Sequence, residues 1–119
     1  MTAIPTLDAV DWPSARAIAA DRVLGGAPQA STALVHRDDQ AEFGLWRVTP
    51  GEFTARRAGQ TEYITVLSGQ GRLIRENGET TELSPGAVTV LADGWSGRWQ
   101  IEKTLVKSYV LLPTKASGR

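Results

Sequence analysis

The run Glu62-Tyr63-Ile64-Thr65-Val66-Leu67-Ser68-Gly69-Gln70-Gly71-Arg72-Leu73-Ile74-Arg75-Glu76-Asn77-Gly78-Glu79-Thr80-Thr81-Glu82-Leu83 decides the fold class. Its first part is rich in β-branched and aromatic residues, which favour a pleated, half-buried surface. Period-two alternation puts Glu62, Ile64 and Val66 on one face and Tyr63, Thr65 and Leu67 on the other. Asn77-Gly78 is a strong hairpin signal, because both residues tolerate the positive φ that a two-residue turn demands. It predicts that residues 71–76 pair antiparallel with residues 80–83.

The same punctuation runs outward from this stretch. Gly44, Gly51, Gly59, Gly86 and Gly94 extend a spacing typical of strand-plus-turn units in a sandwich or barrel. The intervening runs 32–37, 44–49, 62–67, 71–76, 87–92, 97–102 and 105–112 are rich in Val, Ile, Leu, Thr, Tyr and Trp. Roughly seven or eight strands with no room for crossover helices predict an all-β, antiparallel sandwich or barrel. Pro50-Gly51, Pro85-Gly86 and Gly94 read as turn devices.

The first quarter reads differently. Residues 11–24 form the Ala-rich stretch, with Pro13 near its start and Gly25-Gly26 after its end, which predicts a short surface helix. The organisation expected is an N-terminal arm or helix over 1–30 that packs on the barrel or on a partner subunit, a barrel over 31–113, and a frayed tail over 114–119.

Composition narrows the chemistry. The chain has 119 residues, 13 Lys+Arg against 13 Asp+Glu, no Cys and one His. Without Cys there is no disulfide, thiolate zinc site or cysteine nucleophile. Balanced charge argues against a nucleic-acid or anionic-membrane partner. The N-terminal residues lack the basic and apolar regions of a signal peptide, and no apolar run approaches a membrane span, so a cytoplasmic location is expected.

From Gly44 to Tyr109 the sequence resembles a cupin, and more narrowly the small single-domain cupins related to ureidoglycine aminohydrolase and ethanolamine-utilisation protein Q. The resemblance rests on Gly44-Leu45-Trp46, Thr49-Pro50-Gly51-Glu52-Phe53, Glu62 to Gly69, Leu83-Ser84-Pro85-Gly86, Gly94-Trp95-Ser96-Gly97-Arg98-Trp99 and Lys107-Ser108-Tyr109. Gly51, Glu62 and Gly69 keep their places in the first cupin motif; Gly86 and Gly94 keep theirs in the second. The metal-ligating histidines of those motifs fall near Arg57, Gly59 and Gly97, the second-motif Pro on Ala92 and its Asn on Ile101. Of the usual metal ligands only Glu62 is present. The resemblance implies a double-stranded β-helix jelly roll with a ligand pocket in the barrel mouth, and a homodimer.

Each candidate site residue carries two readings. Glu62, placed in the barrel by the resemblance, is either an acid/base or ligand anchor, or half of a structural pair with Lys107 or Arg57, since a buried carboxylate needs a partner. Lys107 and Tyr109 share one face of the last strand; they either fix a substrate carboxylate or carbonyl, or neutralise Glu62 and tie down the backbone. Trp46, Trp95 and Trp99 form an aromatic wall for a ligand, or Trp99 plugs the barrel; Trp95 is expected exposed on a loop at the mouth. Arg57 either forks onto an anionic ligand or is solvated. His36 lies before the motifs and reads as a surface histidine. No metal or other cofactor is expected, with a weak divalent site from Glu62, Gln60, Gln100 and His36 the remaining alternative.

Three functions are therefore weighed. The first is a metal-poor cupin that binds a small polar metabolite. The second is an enzyme of aminohydrolase- or isomerase-like proton-transfer chemistry, with Glu62 as acid/base and Lys107 as its electrostatic partner. The third is a non-catalytic interaction module with a filled pocket and an exposed patch around Trp95.

Overall fold

The computed structural model describes residues 3–4 and 6–114. Nine strands form among them: β1 (Arg16–Ala17), β2 (Val23–Gly26), β3 (Gln29–Arg37), β4 (Glu42–Val48), β5 (Gly51–Arg56), β6 (Gln60–Arg75), β7 (Thr80–Leu83), β8 (Val88–Leu91) and β9 (Ser96–Pro113). All pairings are antiparallel. Among the described residues, no helix is long and apolar enough to cross a membrane.

Two long strands organise the rest. The first half of β6 and the second half of β9 pair with each other, with β8 and β4 on their outer sides; β3 and β1 continue beyond β4. The second half of β6 and the first half of β9 also pair, but now β7 and β5 flank them, and β2 continues beyond β5. The sheet thus curls into two faces joined through β6 and β9, the jelly roll expected from the motifs. Ile64 and Val66 from one face meet Phe53, Leu73, Trp99 and Leu105 in a common core.

The joint explains why runs 62–67 and 71–76 are one strand and not two. The register of β6 against β9 shifts between Val66 and Gly71. Gly69 takes φ 94° there, and a Cβ on it would lie 2.3 Å from Thr104 O. Gly71 is equally confined, its Cβ position being 2.4 Å from Gln100 O. These glycines allow a bulged strand to bend against its neighbour instead of ending it. Runs 97–102 and 105–112 likewise form one strand, β9, continuous through Lys103 and Thr104.

The hairpin at Asn77-Gly78 forms with the expected strands: Gly71 opposes Leu83 and Ile74 opposes Thr80. Its loop has three residues and not two. Arg75 N–H donates to Glu79 O, and Gly78 N–H donates to Arg75 O, each at 2.8 Å. Only Gly78 adopts positive φ, while Asn77 Oδ1 accepts from Glu79 N–H at 2.9 Å. Asn77 works here through its side chain.

The predicted helix over 11–24 does not form. The segment holds β1, a single 3-10 turn at Ala20–Arg22, and the start of β2. An isolated helix of this length is marginal without a broad apolar face, and Arg16 and Arg22 interrupt any such face. Sheet edges offered a better use for its backbone: β1 pairs with β3 and β2 with β5, covering groups that would otherwise remain unpaired. Arg47 stacks on the Trp12 ring at 4.6 Å, and Ser31 Oγ donates to Pro13 O at 2.6 Å, fastening the arm to the barrel. At the other end, Thr114 N–H donates to Gly59 O; the rest of the predicted tail, 115–119, lies outside the described residues.

The glycine geometry yields a paired test. Gly59 also has positive φ, 82°, but nothing lies within 4 Å of its Cβ position. Gly59→Ala is expected to cost about 1–2 kcal/mol from backbone strain alone, whereas Gly69→Ala adds a backbone clash and is expected to cost clearly more. Urea unfolding of the two variants measures the difference; equal losses would refute the crossing-point role of Gly69.

Candidate functional site

A cavity of about 230 Å³ opens in the barrel. Four strands supply most of its lining. β4 provides Glu42 and Trp46, β5 provides Phe53 and Ala55, β6 provides Glu62, and β9 provides Trp99, Lys107, Tyr109 and Leu111; Ile18, Arg22, Thr32 and Arg57 complete it. The alternation read from the sequence places these side chains: Glu62, Ile64 and Val66 are all buried, as are Lys107 and Tyr109, while Tyr63 is exposed.

At the base lies an ion pair. Glu62 is 1% exposed and Lys107 4%. Lys107 Nζ donates to Glu62 Oε2, and Arg57 Nε donates to Glu62 Oε1 at 3.1 Å, with Nη2 3.0 Å from the same oxygen. Both carboxylate oxygens are therefore engaged by cations. The Lys107 ammonium also sits over aromatic faces, 4.5 Å from the Trp46 ring centre and 4.6 Å from that of Trp99. Such desolvated cation–π contacts are worth about 2 kcal/mol each. Burial pushes the Lys107 pKa below its ordinary value; the Glu62 charge and hydrogen bond oppose this shift, and the like charge of Arg57 adds to it.

Arg57 is held by its backbone. Its N–H donates to Trp95 O at 2.9 Å, and its carbonyl accepts from Gly94 N–H at 2.8 Å. The turn between β8 and β9 thereby clamps the guanidinium's starting point. This is the contribution of Trp95 to the site. Its side chain, expected at the exposed mouth, is instead 7% exposed and part of the core cluster, and it does not line the cavity. The indole is large and apolar, and Gly97 leaves space for it: a Cβ on Gly97 would fall 2.9 Å from the Trp95 ring.

Trp99 is both core and lining. It is 2% exposed, stacks on Phe53 at 6.2 Å and 10°, and tilts at 55° to Trp46 with centres 5.6 Å apart. One indole thus closes the core while the cavity remains beside it. Tyr109 makes a contact that was not foreseen: its hydroxyl donates to Glu42 Oε2 at 2.6 Å. Gly44 lies opposite Tyr109 in the sheet, and its missing Cβ leaves room for the phenol oxygen, which would be 3.1 Å from such an atom. Burial, then the hydrogen bond to and charge of Glu42, raise the Tyr109 pKa above its ordinary 10.0.

Glu42, Phe53 and Arg22 were missed as site residues for three separate reasons. The strand reading began at Gly44, although Glu42 shares the Trp46 face two positions earlier. β5 was not read as a strand, because Glu52, Thr54 and Arg56 dilute its apolar positions. Arg22 was placed in a helix; in the fold its Nε and Nη2 donate to Thr54 O at 3.0 and 2.8 Å, and its guanidinium lies 5.8 Å from the centre of the Phe53 ring.

The cupin motifs imply a metal, and the donors here do not fit one. Glu62 faces two cations, and among the described residues no group of three or more His, Cys, Asp or Glu side chains could hold a metal ion. His36 Nε2 pairs with Asp38 at 2.9 Å on the surface. Neither it, Gln60 nor Gln100 lines the cavity, so the structure does not gather the four residues considered for a weak divalent site.

A curled antiparallel barrel with a polar and aromatic pocket in its interior defines the cupin class. Residues 35–109 match the model of the EutQ-like cupin domain, and the chain belongs to that family. No protein of curated function matches it. Among solved structures, it is similar to a DUF861-family protein of unknown function from Pseudomonas syringae pv. tomato (TM-score 0.74, 20% identity, covering 84% of this chain and 43% of that one). It is also similar to EutQ of Clostridium difficile (TM-score 0.64, 15% identity, 74% of this chain and 65% of that one). A third likeness is to a putative ethanolamine utilization protein Q from Salmonella typhimurium (TM-score 0.63, 17% identity, 87% and 97%). The chain therefore spans less than two thirds of the first two proteins' length, and at these identities the likeness speaks for the fold.

Two predictions come from the geometry. Removing one member of the buried pair leaves the other charged in the core, so Glu62→Leu is expected to cost about 3–5 kcal/mol; combining it with Lys107→Met recovers much of the loss in urea unfolding. A raised folded-state pKa for Tyr109 means that the unfolded chain releases that proton first as pH rises above 10.0, so its contribution to stability is lost progressively above that pH. Unfolding measured from pH 8 to 11 is expected to show a steeper alkaline loss in the wild type than in Tyr109→Phe.

Proposed function

We propose that this cupin binds a small polar metabolite in its barrel. The observation that carries the reading is a charged, hydrogen-bonding base, formed by Glu62, Lys107 and Arg57, beneath aromatic walls and open to a ligand. Binding sites commonly combine apolar surface with a few convergent polar groups. The volume, below the roughly 300–1,000 Å³ of drug-sized sites, favours a compound of a few carbons.

Proton transfer at Glu62 is less favoured by the geometry, since either of its oxygens must first release a cation. The enzyme reading keeps one clear test: Glu62→Gln abolishes turnover only if the carboxylate participates. An interaction module centred on Trp95 loses its support, because that side chain is in the core.

Thermal shift against small acids, amines, ureides and sugars tests the binding reading. A true ligand at a hundred times its dissociation constant is expected to add about 2.7 kcal/mol of stability, and Trp46→Ala to diminish that gain. If no compound stabilises the folded wild-type protein, the reading fails.

A further inference from the structure

We infer that the ligand is a small carboxylate, seated with its oxygens against Lys107 and Arg57 and its carbon end against Trp46 and Phe53. This deepens the metabolite-binding reading and rests on it. The hydrogen-bonding groups around the cavity are unevenly engaged.

Each oxygen of the lining carboxylates already holds a donor. Glu62 Oε1 accepts from Arg57 and Oε2 from Lys107. The other lining carboxylate, Glu42, receives Arg37 Nε on Oε1 at 3.1 Å and the Tyr109 hydroxyl on Oε2. The phenol's one proton is used in that bond. Donors, by contrast, are left over. Lys107 has three N–H groups, and among the described residues Glu62 is their one hydrogen-bond acceptor. Arg57, whose side chain is partly exposed, directs Nε and Nη2 to a single oxygen, and among the described residues Nη1 has no side-chain acceptor. Arg22 likewise uses Nε and Nη2 on Thr54 O, which leaves its Nη1.

The charge balance points the same way. Arg22, Arg57 and Lys107 line the cavity against Glu42 and Glu62, so the site carries an excess positive charge. A buried ammonium with one acceptor for three N–H groups is costly; the indole faces beside it offset only part of that cost. An incoming anion supplies both the missing charge and the missing acceptors, and hydrogen bonds between charged partners are the strong ones. A cationic ligand would meet the excess positive charge, and each carboxylate oxygen within its reach already holds a donor. Cavity size and apolar surface set the rest of the choice: the volume restricts the ligand to a few carbons, and the Trp46, Phe53 and Trp99 rings provide an apolar wall. No metal is required, because the fixed cations are side chains.

The test compares isosteres. The wild-type chain is titrated at constant ionic strength and in the presence of EDTA with sodium acetate, glycolate, pyruvate and benzoate, and separately with acetamide, glycolamide, benzamide and ethylammonium chloride. Thermal stability and the indole N–H resonances of Trp46 and Trp99 are followed. At least one carboxylate is expected to bind saturably and at least tenfold more tightly than its amide, and Arg57→Gln, whose guanidinium is partly exposed, to weaken that carboxylate about tenfold or more while the protein stays folded. If an amide or the ammonium salt binds as well as the carboxylates, the ligand class is overturned and the metabolite-binding reading survives. If none of these compounds binds but a neutral sugar or ureide stabilises the protein, the carboxylate assignment alone fails. If nothing in either panel binds, both readings fail together.

Discussion

The contact between Lys107 and Glu62 constrains the rest of the molecule. Two charges with almost no exposure carry a desolvation cost of several kcal/mol each, and direct pairing offsets that cost only when the geometry is good. The fold supplies that geometry by setting the two residues on adjacent long strands: Val66 opposes Lys107 and Ile64 opposes Tyr109 in the β6–β9 register, so the alternating inward positions of both strands meet in one layer. Arg57 takes the remaining carboxylate oxygen, and the rings of Trp46 and Trp99 cover the ammonium. The cluster is thus asymmetric, with both carboxylate oxygens engaged and the Lys107 ammonium holding one acceptor for its three N–H groups.

This arrangement accounts for how a cupin framework can hold a fixed positive centre without histidine. In the cupin motifs a carboxylate shares its place with histidine ligands; here the carboxylate is retained, and Arg57, Gly59 and Gly97 stand near the histidine positions of the motifs. Gly97 contributes space, which the Trp95 ring uses, and Arg57 contributes charge. The positive charge next to Glu62 is thus provided by organic cations whose positions depend on packing: the indole faces for Lys107, and the turn at Gly94-Trp95 for Arg57. Tyr109 and Glu42 form a second, smaller polar unit beside the first, given room by the missing side chain at Gly44.

Much of the fold was legible before any coordinates. Alternation in residues 62–67 put Glu62 and Tyr63 on opposite faces, the cupin resemblance assigned the Glu62 face to the interior, and the hairpin around Asn77-Gly78 paired the strands it was expected to pair. Each failure had a local cause. Residues 11–24 have helix-like composition, but edge strands β3 and β5 needed partners, and tertiary pairing outweighed propensity. Gly69 and Gly71 resemble turn glycines in a string of letters; only the approach of Thr104 and Gln100 shows that they sit at a crossing of two strands. Trp95 follows a turn, and nothing in its neighbours in sequence discloses the space above Gly97 into which it packs.

The sequence by itself determined the strand faces, because side-chain direction alternates with period two whatever the strand's neighbours, and it determined the absence of Cys chemistry and of a multi-histidine site, because those residues are not there. It also restricted the candidates for the interior to a short set containing Glu62, Lys107, Tyr109 and Trp99. The tertiary structure alone decided which of them touch. Glu62 and Lys107 are 45 positions apart and Glu42 and Tyr109 are 67 apart, so their contacts depend on register between distant strands and on bulges that shift it. Hydrogen-bond satisfaction is a property of such contacts, and for that reason the surplus of donors in the barrel could be seen only once the strands were in place.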